Sequence, residues 1–215
     1  HRDQRFYASI AYDSTYIYEN LVVTRITGNM HRKSLNKASK LSTRTGYFVR
    51  KTLYEKEPIF AQNYTDYHHV ILRLGRSYLN YAEAVFKYLG GADITSMEFP
   101  MSARAAASKT RQRAGMPDFE QGMDANTFWT KLCNERFVEL AFEGHRFWDV
   151  RRWKEADKYF KSITEMKLAK NADGSISYTR NTVARQWDDK MYLFPIPQTE
   201  IQKNNNLKQN VGWDK

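Results

Sequence analysis

A single cysteine, Cys133, excludes any disulfide within the chain. It stands beside Leu132 in an apolar periodic segment, which predicts a small buried hydrophobe. No stretch approaches the ~20 consecutive apolar residues needed to span a bilayer, and no segment reads as a secretory leader. The chain begins at His1 and not at Met, so it reads as a processed product or a piece of something longer. Gly90-Gly91 is followed by no Lys-Ser or Lys-Thr, so there is no phosphate loop, and the H-E-x-x-H spacing of a zinc site is absent. His68-His69 and Glu143 with His145 are too close in sequence to face one another on a helix. No metal and no cofactor are expected. Acidic residues are the minority, 24 against 34 basic, for a net charge of +10. The excess is dispersed. Its densest cluster, His31 to Arg44, alternates cations with Ser, Asn and Thr and reads as a solvated loop, not a nucleic-acid patch.

What is there is 215 residues with 41% hydrophobic content, enough for one substantial core or two small ones. The most informative stretch is ERFVELAFEGHRFWDVRRW, Glu135 to Trp153. At about 100° per residue, Phe128, Leu132, Glu135, Glu139, Glu143, Arg146, Val150 and Trp153 fall in one stripe. Phe137, Ala141 and Trp148 line the opposite side, so the spacing predicts a long helix, about Ala125 to Trp153, buried all round, with Gly144 a bend. Buried charges persist only when paired and hydrogen-bonded. Glu139 and Glu143, like charges at i,i+4, each need a cation. Arg146 is placed to serve one, and Arg73 or Arg111 the other. Glu135 and Asp149 complete the expected network.

The first third, residues 1–68, reads as loop with short strands at Arg5 to Tyr12 and Gly46 to Tyr54. From residue 69 a helix carries Ile71, Leu74, Tyr78, Ala82, Val85, Phe86 and Leu89 on its apolar face, and Arg73, Arg76, Asn80, Glu83 and Lys87 on the other. It stops at Gly90-Gly91. A second, alanine-rich helix runs from Ser102 to Ala114, ended by Gly115 and Pro117. Ala103, Ala106 and Ala107, with Gly75 opposite, allow close approach, as in a tetratricopeptide-like hairpin. One such unit cannot stand alone, so the long helix would supply the missing surface. Residues 69–153 form a helical core in this reading. Residues 154–215 form a hairpin at Asp173-Gly174 and an irregular tail packed on the body.

Four segments in order, DQRFYASIAYD, ILRLGRSYLNYAEA, ERFVELAFEGHRFWDVRRW and YLFPIPQTEIQKNNNLKQNVGW, resemble the SusD/RagB family of surface nutrient-binding lipoproteins. TRQRAGMP, between the second and third, is also similar, and Gln4 replaces the proline usual in the first. The resemblance spans Asp3 to Trp213 and corresponds to the C-terminal part of proteins about twice this length. It implies a mainly α fold: a tetratricopeptide-like hairpin plus a long buried helix, with long loops and a few short strands or hairpins, in a single region 1–215. It implies attachment to the outer membrane, at the cell surface, through an N-terminal lipid absent from this chain. It further implies capture of an oligosaccharide, or in some branches a peptide, without catalysis, and delivery to a SusC-like TonB-dependent transporter.

Glycosidases hold two carboxylates about 5 to 9 Å apart, a spacing Glu139 and Glu143 could meet, but a buried helix offers no cleft. Candidate ligand contacts are aromatics in polar loops: Tyr12, Tyr16, Tyr18 and Trp187. Sugars lay their C–H faces on such rings. The resemblance places most of the family's binding aromatics upstream of Asp3. An intracellular helical-repeat adaptor and a basic nucleic-acid module are the competing classes.

Overall fold

The structure is a computed structural model and describes residues 2–25, 27–31, 43, 45–55 and 70–214. The loop expected between His31 and Arg44, apart from its ends, and the His68-His69 pair lie outside the described residues. The chain divides into two compact units, His1–Thr43 with Tyr47–His145 and Arg44–Gly46 with Arg146–Lys215.

The first unit opens with a helix where a strand was expected. In α1 (Gln4–Ser9) the Asp3 carboxylate accepts from the Arg5 backbone N–H at 2.9 Å, an N-cap that wins over the strand preference of the following aromatic and β-branched residues. Strand β1 (Ile10–Ala11) follows, then a hairpin of β2 (Thr15–Ile17) and β3 (Asn20–Val22). Of the second expected strand only β4 (Phe48–Val49) forms, pairing antiparallel with β1 in the register Ile10↔Val49 and Ala11↔Phe48.

Helix α2 (Leu74–Leu89) ends at Gly90, which takes the left-handed conformation at φ 78°, and α3 (Ala103–Arg113) is capped by the Ser102 hydroxyl. These two form the helical hairpin. The buried Ala103, Ala106 and Ala107 meet Leu79, Ala82, Val85 and Phe86, and α4 (Ala125–Glu139) adds Phe128 and Leu132. Phe128 stacks at a tilt on Phe86, centroids 5.1 Å apart, and meets the edge of Phe119. Each such fully buried side chain contributes about 1.5–3 kcal/mol. Cys133, also on α4, is buried as expected.

Two expectations about α2 change. Ile71 and Leu74 stand 79% and 66% exposed, because the helix buries its face only from Leu79 onward. Glu83, placed by periodicity on the wet face, is buried against the equally buried Arg136 of α4 at 3.6 Å. Arg136 also donates to Asn80 Oδ1 at 2.9 Å.

The helix that opens the 135–153 stretch, hereafter the signature motif, is shorter than its periodicity suggests. It ends at Glu139; Phe142 (φ 63°) and Gly144 (φ 78°) take left-handed conformations, and α5 (His145–Arg152) begins afresh. Nor is it buried all round: Phe137 is 49% exposed. The buried stripe is the one that carries Phe128, Leu132, Glu135 and Glu139.

In the second unit α5 leads through α6 (Ala156–Phe160) to a long hairpin of β5 (Ser162–Lys170) and β6 (Ile176–Ala184). Its register runs from Ser162↔Ala184 to Lys170↔Ile176. The turn forms where expected, with Gly174 at φ 85° and Asp173 accepting from Ser175 N–H at 2.9 Å. The tail holds a 3₁₀ turn (Asp189–Tyr192) and a short helix α7 (Gln198–Lys203). Side chains pin it: Gln209 both donates to and accepts from the Ile196 backbone, and Trp213 Nε1 donates to Lys190 O at 3.1 Å. Among the described residues no helix is long and apolar enough to cross a membrane.

Candidate functional site

The charges of the signature motif meet cations drawn from across the first unit. Arg5 reaches Glu135 through both terminal nitrogens and Glu139 Oε2 at 2.8 Å. Thr110 Oγ1 donates to Glu135 at 2.8 Å, and Arg111 closes on it at 3.3 Å. Glu139 also receives Arg73 and, at 2.9 Å, Arg113. Glu143 draws on Lys51 and on Arg73, whose Nη2 lies 2.7 Å away. Glu135, Glu139, Glu143, Arg73 and Arg111 therefore come together. Arg5, Lys51, Arg113 and Thr110 join them, all missed in the sequence because α1, β4 and α3 gave no sign of where their ends would point. Arg146, expected to serve one of Glu139 and Glu143, lies over the Tyr159 ring at 3.9 Å, and Asp149, expected in the network, accepts from Arg152 at 2.9 Å, because the chain turns through left-handed Phe142 and Gly144 before α5.

Two of these cations also finish the helix. Arg73 Nη2 donates to the Glu139 carbonyl at 2.6 Å, and Lys51 Nζ to the carbonyls of Glu139 and Ala141 at 2.9 and 3.0 Å. Carbonyls left without partners at the α4 C-terminus are thus satisfied by positive charge, where the helix dipole favours it. Gly75 leaves room for the arrangement, since a Cβ there would meet Arg73 Nη1 at 2.7 Å and Glu139 Oε1 at 3.0 Å.

Burial opposes ionisation of Glu139, yet hydrogen bonds from Arg73 and Arg5 outweigh it and hold its carboxyl below the usual range. Glu143 behaves alike, with burial overcome by Arg73 and Lys51. Arg5 is opposed by burial and raised by Glu135, Asp3 and Glu139. A carboxylate kept ionised by three guanidiniums, with 2% of its surface exposed, is poorly suited to donate a proton to a substrate. Chemically, this cluster locks helices.

The aromatic candidates divide. Tyr16 sits on β2 with 60% of its surface exposed. Tyr18 and Glu19 form the two-residue turn of that hairpin at φ 48° and 64°, the pairing of positive φ that a type I′ turn requires. The hairpin base is tied by Asp13, which accepts from Thr24 N–H at 2.8 Å and pairs with Arg25. Tyr12 packs instead in a cluster with Phe6 and Tyr7. In the second unit Trp187 packs on Phe160 and Tyr192, centroids 5.5 and 5.1 Å away. The Arg151 guanidinium lies 5.3 Å from the Trp187 ring and 3.5 Å from that of Phe147. Burial lowers the Arg151 pKa against an opposing effect of Tyr192, and among the described residues Arg151 Nε and Trp187 Nε1 are buried without a hydrogen-bond partner.

The second unit also holds a concavity that the sequence did not announce. About 760 Å³ in volume, it is lined by Lys154, Asp157, Asp188, Asp189, Lys190, Tyr192, Leu193, Val211 and Gly212. Its residues come from the turn after α5, the start of α6, the 3₁₀ turn and the end of the tail, segments with no shared periodicity to reveal them. Among the described residues no three carboxylates, histidines or cysteines converge to hold a metal ion.

Comparison with known proteins agrees with this architecture. A SusD-like protein from Bacteroides fragilis superposes with a TM-score of 0.75 at 29% identity, over 99% of this chain and 39% of that one. The protein BT4246 gives 0.74 at 28%, over 99% of this chain and 36% of its own. A SusD-like carbohydrate binding protein from Bacteroides fragilis shares the fold at 22% identity with a TM-score of 0.64, over 96% and 42%. The chain thus spans about two fifths of the length of these structures. No curated protein matches it. With residues 1–213 matched by the SusD family and the fold shared with a solved SusD-like protein, the chain belongs to the SusD family.

Proposed function

We propose that this chain is part of a non-catalytic protein that binds oligosaccharides at the cell surface. On this reading the protein is lipid-anchored to the outer membrane and passes its ligand to a SusC-like TonB-dependent transporter. The observation that carries the reading is membership of the SusD family over residues 1–213, one solved relative of which is a carbohydrate binding protein. Two features of the chain support it. The carboxylates of the signature motif are held by cations and are not free for glycosidic chemistry. An exposed ring, Tyr16, stands on a hairpin braced at its base by Asp13, the kind of rigidly mounted platform on which a sugar face can lie.

The test is calorimetric titration of the full-length protein with a panel of oligosaccharides and of peptides of matched length. Saturable heat with at least one oligosaccharide, and a product unchanged in length after overnight incubation, is the expected result. Binding confined to peptides would replace the glycan reading with a peptide one, and shortened product would make the protein an enzyme. Co-purification with a TonB-dependent transporter from outer membranes tests the partner.

A further inference from the structure

We infer that the concavity of the second unit is a subsite for an uncharged sugar residue, an inference that rests on the glycan-binding reading above. Its volume of about 760 Å³ lies within the ~300–1,000 Å³ of small-molecule sites. The lining alternates donors and acceptors. Lys154 and Lys190 are donors held in place, since each ammonium sits 4.8 Å from the centre of an aromatic ring, Tyr192 and Trp213 respectively. Tyr192 Oη accepts from the Ala156 backbone N–H at 3.1 Å and keeps its own proton to donate.

The acceptors are carboxylates in different states of engagement. Asp188 caps the 3₁₀ turn by accepting from Lys190 N–H at 3.0 Å, and Asp157 faces Lys161 at 3.7 Å. Asp189 is exposed and has no partner among the described residues. Leu193 and Val211, 58% and 87% exposed, give an apolar wall. Ammonium groups and carboxylates interleaved beside an apolar wall suit a polyol, whose vicinal hydroxyls both donate and accept and whose C–H face is apolar.

The charge balance selects among sugars. The chain as a whole carries +10, but this lining holds three aspartates against two lysines. With Asp157 facing Lys161, the remaining aspartates and lysines balance, so a sulfate or uronate brought here would find no cation without a competing carboxylate, which discriminates against it.

The experiment uses the full-length protein and its Asp189→Ala, Asp157→Ala/Asp189→Ala and Lys154→Ala variants, with folding checked by circular dichroism. Malto-, manno- and xylohexaose are titrated beside galacturonan and chondroitin sulfate hexasaccharides. The expected result is binding of at least one neutral hexasaccharide, weakened about tenfold or more by Asp189→Ala and further by the double variant. Both charged probes should bind about tenfold more weakly than the best neutral one. Parent-like affinity for neutral probes in the double variant and in Lys154→Ala would remove the sugar from this concavity and leave the glycan reading standing. Tighter binding of the sulfated or uronate probe would overturn the choice of an uncharged sugar. Absence of binding to every hexasaccharide would overturn both the subsite and the reading beneath it.

Discussion

Arg5 and Glu135 join α1 to α4 across 130 positions of sequence by two parallel hydrogen bonds, Nη1 to Oε1 and Nη2 to Oε2, the second at 3.1 Å. The bidentate fork is the geometry in which a guanidinium binds a carboxylate best. Both groups are almost wholly withdrawn from water, with side-chain exposures of 9% and 2%. Arg5 also serves Glu139 and is itself held by Asp3 at 2.6 Å. One arginine near the start of the chain thus neutralises much of the helix that carries the signature motif.

Arg5→Ala should therefore destabilise the first unit by about 3–5 kcal/mol, because it leaves buried carboxylates short of a cation. Urea unfolding followed by circular dichroism measures this. A double-mutant cycle with Glu135→Gln should show coupling above about 1 kcal/mol between the two positions. A loss below about 1 kcal/mol for Arg5→Ala would mean that Arg111 and Arg113 compensate and that the fork is not central.

Gly75→Ala offers a test of opposite expectation from helix propensity. On an ordinary helix the change gains up to about 1 kcal/mol. Here the new methyl would press on Arg73 Nη1 and Glu139 Oε1, which are bonded to one another. Displacing that contact should outweigh the propensity gain and give a net loss of about 1–3 kcal/mol. A variant more stable than its parent would show that Arg73 has room to move.

The network also sets a pH dependence. Glu139, Glu143 and Asp3 all have folded-state pKa values below their ordinary ones. The unfolded chain then binds protons more readily than the folded one, so stability rises with pH through this range. The contribution is complete above the ordinary carboxylate values, about 4, and drains away as pH falls through the depressed ones. Thermal melts between pH 7 and 3 should show little change at first and then a steep fall below about pH 5. Glu139→Gln should flatten that fall. An unchanged acid slope in Glu139→Gln would place its origin elsewhere.

Much of this was legible in the sequence because the helices write their own boundaries. Ser102 caps α3 and Gly90 ends α2 as their types require, and the stripe from Phe128 to Glu139 marks the face of α4 that is buried. The motif's carboxylates could be seen to need cations, and Arg73 and Arg111 could be named. What the sequence hid were choices made by tertiary context. Arg5 sits in a run with strand preference whose helix depends on a single cap, Asp3. Lys51 reaches α4 only because β4 pairs with β1, a contact between residues some 40 apart. The end of α4 at Glu139 follows from cations on its carbonyls and left-handed backbone at Phe142 and Gly144, not from its apolar periodicity. The concavity around Asp189 is assembled from loops, which carry no period to read.

Tyr16 and Trp187, alike as aromatic residues in polar surroundings, should respond in opposite ways to truncation. Tyr16 is 60% exposed on a hairpin held at its base by Asp13, so Tyr16→Ala should leave the melting temperature within about a degree. If its ring is a sugar platform, affinity for the best-bound oligosaccharide should fall severalfold. Trp187 is engaged by Phe160, Tyr192 and Arg151, and removing it would leave a void beneath all three. Trp187→Ala should cost on the order of 2–4 kcal/mol in the second unit, and Trp187→Phe, which keeps the packing but removes the unpartnered indole N–H, should recover most of it. The reciprocal pattern, a stable Trp187→Ala that loses sugar and an unstable Tyr16→Ala, would exchange the roles of the two rings.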